Sequence, residues 1–543
     1  MINRYSRSVE EVIELDYIEI LDTTLRDGAQ TYGISFSLQD KLSIAQRLDE
    51  LGVRYIEGGW PGSNPKDMEF FKSIKNLNLK NSEIVAFGST RKKDIKPSQD
   101  PMLNALLDTE VKTVVIFGKA WDLHATEVLQ TTLDQNLRMV EDSIEYLKDH
   151  NLNVIFDAEH FFDGFKDNHE YALNVVKKAE EAGARVVVLC DTNGGTLTKD
   201  IQNIVKRTKA ELKVPIGIHC HNDSGLAIAN TLMAVLEGAS HVQATINGLG
   251  ERCGNADLCQ LLPTLQFKMG IRALVNNKPL NEQLKGLSDL SKYVYELTNL
   301  PPNPYQPYVG KNAFAHKGGV HIDAILKQPR AYEHIDPSLV GNRRELSISE
   351  LSGRASVMNM ALRLGIKLDK QSDVVDKVLN EIKSMEAKGY HFEDANATVH
   401  LIFLKALGYN LYPFRVQFWR VSTMKNDFKF TSGEVMVKVD NEVLYEASIG
   451  VGPVHALDQA LRKALLKCFP QLKNVNLINY KVTVVDSASG TASTVRVFIE
   501  FKDNNFQWAT TALSDNIIDA SAMALIDGYA YRLIVEKTKN FHA

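Results

Sequence analysis

Eight short apolar runs, spaced between residues 18 and 270, restrict the folds open to this chain more than anything else in it. They read IEILDTTL (18–25), RYIEGG (54–59), EIVAFG (83–88), TVVIFG (113–118), NVIFDA (153–158), RVVVLCDT (185–192), IGIHCH (216–221) and VQATING (242–248). Each is rich in Val and Ile and alternates only weakly, as strands buried on both faces of a parallel sheet do. The stretches between them carry helical spacing. Leu42, Ala45, Leu48 and Leu51 share one face of a helix over 38–51, and Ala227–Leu236 is similar. Eight strand–helix units in about 250 residues predict an α/β fold, a (β/α)8 TIM barrel over residues 1–275. A doubly wound open sheet is the alternative.

The full chain of 543 residues exceeds one ordinary core. Residues 276–410 read as a helical linker region, with helical patterns at Leu280–Thr298 and Val374–Ala387 around the Pro-rich PPNPYQPYVG (301–310). Residues 411–543 contain an internal repeat. RVQFWRVST, GEVMVKVD and VLYEASIG precede the helical PVHALDQALRKALL; KVTVVDS, TVRVFIEFK and FQWATTAL precede IIDASAMALIDGYAY. The two helices align at an offset of 64, Ala456 on Ala520, Ala460 on Ala524 and Leu461 on Leu525. Two βββα units predict a pseudo-two-fold α+β domain, suited to binding a ligand or pairing with another subunit.

A net charge of −5 argues against nucleic acid as a partner. No apolar run approaches the ~20 residues that cross a bilayer. MINRYSRSVEEVIELDY has no apolar segment of a secretory signal. Five cysteines without CxxC spacing read as free thiols. A cytoplasmic protein is expected, with no nucleic acid and no membrane partner.

The distinctive polar residues fall at strand ends, on the barrel face where such enzymes keep their chemistry. Arg26 and Asp27 follow the first strand, Glu57 ends the second, Glu159 follows the fifth and Thr192 the sixth. His219 and His221 end the seventh, and Glu251, Arg252 and Asn255 follow the eighth. Residues i and i+2 of a strand face one side, so the two imidazoles stand together. With Asp27 they form a two-His, one-carboxylate set, to which Asn255 can add an amide oxygen. Mixed N/O ligation with open positions is catalytic in style and compatible with Zn, Mn, Mg or Co. An Arg26–Asp27–His network without metal is the alternative. A divalent ion can chelate a 2-oxo acid and polarise its carbonyl. Arg26 can hold developing oxyanion charge, and Thr192 can bind the oxo-acid carboxylate. Glu57 and Glu159 are candidates for proton management or for fixing Arg26.

LDTTLRDG (21–28), HCHND (219–223) and NGLGERCGNADL (247–258) together resemble the metal-dependent barrel acyltransferases and lyases known as DRE-TIM metallolyases. That group includes the isopropylmalate, homocitrate and citramalate synthases and hydroxymethylglutaryl-CoA lyase. The resemblance implies the group's Asp, Arg and Glu at Asp27, Arg26 and Glu57, and its metal site at Asp27, His219, His221 and Asn255. AFAHKGGVHIDAILKQPRAYEHIDPSLVGN (313–342) looks like the segment after the barrel in the synthases. It implies catalytic roles for His321 and Tyr332, supplied to a partner subunit's site, and hence a homodimer. The repeat looks like the synthases' regulatory domain, which the lyases lack.

WPGSNPKD (60–67), KAWDLHATEVL (119–129), AEHFFDGFK (158–166) and CDTNGG (190–195) resemble most the citramalate-forming branch. That branch implies condensation of acetyl-CoA with pyruvate, thioester hydrolysis, and isoleucine as feedback inhibitor; the isopropylmalate branch, using 2-oxoisovalerate, is the alternative. His321, with Glu159, is the implied base. One departure is Asp157, where the synthases often carry Ser or Tyr two residues before the position of Glu159. A rival from another class is an amino-acid sensor or assembly scaffold without catalysis. His124 and His160 are single histidines near strand ends. Cys190, Cys220 and Cys253 pack near the mouth, none as nucleophile. Gly248–Gly250 is only a fragment of a nucleotide motif. Gly450–Gly452, ahead of Pro453, can aim backbone N–H groups at an amino-acid carboxylate.

Overall fold

The computed structural model describes residues 16–346, 353–363, 366, 368–369, 372–425 and 429–539. Residues 1–15, most of the segment read for a secretory signal, lie outside them. Strands β1 (Glu19–Asp22), β2 (Tyr55–Gly59), β3 (Glu83–Ser89), β4 (Thr113–Lys119), β5 (Asn153–Glu159), β6 (Val186–Asp191), β7 (Ile216–Cys220) and β8 (His241–Ala244) pair in chain order. Every pair is parallel. β8 returns to β1 with Glu19 opposite His241 and Asp22 opposite Ala244, which closes the barrel.

The period of two sorts the side chains. Leu21, Tyr55, Val85, Val115, Ile155 and Val188 fill the barrel interior, while Ile20, Ile56, Val114, Phe156, Val187 and Ile218 pack outward under the helices. Helix Leu38–Leu51 shows how local sequence sets its limits. Ser37 and Asp40 form a reciprocal capping box at its start, and Gly52 ends it at φ +96°, the left-handed region that favours glycine.

Two run boundaries differ from expectation. β1 stops at Asp22, short of residue 25, because the Asp22 carboxylate accepts the N–H and hydroxyl of Thr24 and turns the chain out of the sheet. β8 stops at Ala244, and Asn247 lies at φ +61° in the turn beyond.

Contacts group the chain into two units. One takes the chain up to Phe314 together with Ile335–Arg344; the other takes Ala315–His334 and the chain from Glu345 onward. The region expected as a linker therefore contributes to both. In the second unit, Arg415–Lys425, Lys429–Val439 and Glu442–Gly450 form an antiparallel sheet followed by helix Pro453–Leu465. Asn476–Val484, Val495–Lys502 and Gln507–Ser514 repeat it, followed by helix Ile517–Lys539. Ala456, Ala460, Leu461, Ala520, Ala524 and Leu525, the aligned positions of the repeat, are all buried in one core. Among the described residues, no helix is long and apolar enough to cross a membrane.

Candidate active site and metal centre

The end of β7 delivers His219 and His221 together, their Nε2 atoms 3.3 Å apart. The turn after β1 brings Asp27 Oδ2 to 3.3 Å from His219 Nε2. The segment after β8 folds back along the end of β7, bridging Asn255 to His221, with Asn222 N–H donating to Gly254 O at 2.9 Å. Asn255 Nδ2 then donates to Asp27 Oδ2 at 2.9 Å. One ligating atom from each of Asp27, His219 and His221 lies within 4.8 Å of the others.

The electrostatics keep these atoms as acceptors. Burial works against an ionised Asp27, but the Arg26 guanidinium and His219 overcome it and hold the carboxyl well below the usual carboxylate range. Burial, aided by the neighbouring His219 ring, pushes His221 down to about 3. Burial also opposes charge on His219, yet its hydrogen bond to Asp27 raises it. Asn255 Oδ1 is buried and has no hydrogen-bond partner among the described residues. A Cβ on Gly250 would stand 2.2 Å from that oxygen, so the bare glycine leaves room for it. A carboxylate, two imidazole nitrogens and an unengaged amide oxygen directed to one point fit a divalent cation.

Arg26 stands beside this point. Its Nε donates to Glu57 Oε2 at 2.6 Å, its Nη1 lies 3.5 Å from Asp27 Oδ2, and its Cζ sits 3.7 Å from the centre of the Phe87 ring. Glu57, fully buried, is pushed up by burial and partly restrained by Arg26. Trp60 meets Phe87 and Phe117 edge-on at 5.4 and 5.6 Å, forming an apolar wall. The resulting cavity of about 180 Å³ is lined by Arg26, Asp27, Trp60, Phe87, Phe117, Asp157, Glu159, Thr192, His219 and His221 among others.

Of the residues expected from sequence, Arg26, Asp27, Glu57, Thr192, His219, His221 and Asn255 belong to this one mouth. Glu159 is there too, but its described partner is Lys119, the neighbour across β4 and β5, rather than Arg26. Thr192 Oγ1 accepts the His160 N–H at 2.8 Å, made possible by the left-handed His160 backbone at φ +57°. His321 and Tyr332 belong to the second unit, where their rings stack at 4.0 Å and both are exposed. Cys190 and Cys220 are buried and Cys253 is exposed.

Sequence reading missed three features. The first is the aromatic wall, whose signal was the FG repeated at the ends of the third and fourth runs. The second is Arg252, which grips Asp223 at 2.8 and 2.9 Å and donates to the Thr192 carbonyl at 2.7 Å, tying three mouth loops together. The third is Gln243, a lone amide in an apolar run, which donates to Asp157 Oδ1 at 2.8 Å. Burial, opposed by His219, drives Asp157 up to about 7.

Residues 17–286 match the HMGL-like family, residues 308–390 the homocitrate synthase post-HMGL domain-like family, and residues 393–533 the LeuA allosteric (dimerisation) domain. An HMGL-like barrel joined to that C-terminal domain defines the class. The (R)-citramalate synthase of Sulfolobus acidocaldarius is 52% identical over 96% of this chain and 97% of its own length. That of Aquifex aeolicus is 48% identical over 96% and 98%. The 2-isopropylmalate synthase of Methanocaldococcus jannaschii is more distant, 33% identical over 96% of each chain. The chain belongs to the (R)-citramalate synthase family.

Proposed function

We propose that this chain condenses acetyl-CoA with pyruvate and hydrolyses the thioester formed, releasing (R)-citramalate and CoA. Asp27, His219, His221 and Asn255 would hold a divalent ion, with Zn, Mn, Mg and Co all compatible. Such an ion supplies Lewis acidity toward the oxo-acid carbonyl. Arg26, braced by Glu57, faces the same oxygen and stabilises negative charge as it develops there. The Thr192 oxygen already accepts from His160, so its hydroxyl hydrogen is left to donate to the oxo-acid carboxylate. Trp60, Phe87 and Phe117 face the oxo-acid side chain, and their bulk favours the methyl of pyruvate over a branched group. His321, with Glu159, is the candidate base at the acetyl methyl, and Tyr332 its stacked neighbour.

The observation that carries this reading is the set of acceptor atoms converging beside Arg26 and an aromatic wall, in a chain related end to end to (R)-citramalate synthases. The test is CoA release from acetyl-CoA with pyruvate or with 2-oxoisovalerate at equal concentration. Faster turnover of 2-oxoisovalerate would replace this reading with the isopropylmalate one. No thiol release from a metal-loaded chain would leave the sensor or scaffold reading.

Isoleucine is the proposed feedback effector of the second unit. A cavity of about 450 Å³ there offers Arg462 for a carboxylate, Asp458 for an ammonium and Val454 and Leu477 for an aliphatic side chain. Isoleucine, and not leucine, then lowers turnover and raises the Tm. A homodimer is supported by the exposed Val443, Tyr445 and Ile449 on one sheet of the repeat. A cytoplasmic location is supported by the five free cysteines.

A further inference from the structure

Behind the metal-facing side of His219 lies a buried chain of polar groups that the reaction as proposed does not use. His219 Nδ1 is 3.0 Å from Gln243 Oε1, and Gln243 Nε2 donates to Asp157 Oδ1 at 2.8 Å. All three side chains point into the barrel, from β7, β8 and β5, and all are more than nine-tenths buried. We infer that Gln243, oriented by Asp157, fixes the tautomer of His219 and so keeps its Nε2 lone pair directed at the metal centre.

The argument is one of donors and acceptors. Asp157 Oδ1 offers only lone pairs to its neighbour, so the Gln243 amide must turn its NH2 toward it. The amide oxygen then faces His219, which must carry its ring proton on Nδ1. Nε2 is left unprotonated on the side of Asp27 and His221. A buried amide with no fixed partner could flip and present NH2 to His219, moving the ring proton to Nε2 and blocking the ligand atom. Asp157 prevents that flip. The pair therefore acts as a positioning device, and it gives the carboxylate that departs from the Ser or Tyr of related synthases a defined task.

This inference rests on the metal-centre reading, so the experiment separates the two. The chelated wild-type chain, labelled with 15N-histidine, reports the His219 tautomer directly, and the expected form carries its proton on Nδ1. Manganese(II) titrated into chelated protein reports affinity. Gln243→Leu, which removes the acceptor, is expected to weaken Mn(II) binding by about 10–100-fold. Gln243→Glu keeps an oxygen on His219, can share a proton with Asp157, and is expected to recover most of the lost affinity. A wild-type His219 protonated on Nε2, a Leu variant binding within twofold of wild type, or a Glu variant as weak as the Leu variant each overturns the inference. A wild-type chain that binds no Mn(II) removes the metal reading instead, and the tautomer spectrum alone then judges the role of Gln243.

Discussion

The two ends of the barrel are built from the same side chains to opposite effect. At the N-terminal end Glu19 takes a bidentate pair from Arg185 at 3.1 and 2.9 Å, and His241 Nδ1 lies 3.5 Å from the same carboxylate. At the C-terminal end Arg26, Glu57, Asp27, His219 and His221 use an equivalent inventory. Below, donors and acceptors balance: the guanidinium satisfies the carboxylate, and burial keeps His241 low against the pull of Glu19. Above, Arg26 is spoken for by Glu57, and the remaining groups are acceptors turned toward one another. An Arg–carboxylate–His cluster is therefore no sign of chemistry by itself. A surplus of acceptors aimed at one point is.

Replacing a ligand should separate the ends most sharply. His219→Ala is expected to cut pyruvate-dependent CoA release by about 10³-fold or more, the scale of several kcal/mol of lost charge stabilisation. Metal retained by that variant, assayed after gel filtration, would contradict the site. Glu19→Gln, at the other end, should leave kcat within twofold while lowering stability by about 1–3 kcal/mol in urea unfolding. A Glu19→Gln chain with impaired turnover and unchanged stability would erase the contrast. Next in size, Trp60→Ala opens the wall beside Arg26. The ratio of kcat/KM for 2-oxoisovalerate to that for pyruvate should rise about tenfold, the effect of a methylene or two in an apolar pocket. An unchanged ratio would remove the wall from substrate choice.

The smallest expected effect concerns pH. His241 is depressed in the folded chain, so it must gain a proton on unfolding below the ordinary histidine pKa. Its contribution to stability is present above about pH 6.5 and is lost as pH falls. His241→Leu should therefore lose less Tm than wild type between pH 7.5 and pH 5. Calorimetric gaps that stay constant across that range would show that His241 is not the group responsible.

The barrel was legible because its strands are buried on both faces and read as unbroken apolar runs, each followed by polar residues at the mouth. The metal set was legible because histidines at i and i+2 cannot both be core. The partner of Glu159 was not, since it depends on the register of β5 on β4, which places Lys119 opposite. Nor was the aromatic wall, because Phe87 and Phe117 inside apolar runs look like packing. Gln243 carried a signal, an amide in a buried strand that has to find a partner, but the identity of Asp157 as that partner depends on barrel closure.

That closure has a consequence for how the chain comes into being. Asp27 and Asn255, whose side chains touch, are separated by 228 positions. Until β8 has paired with β1, a growing chain owns Asp27 and nothing to complete it. During synthesis the ion can be captured only once the last strand is in place, so metal uptake marks a finished barrel and no truncated product can compete for it.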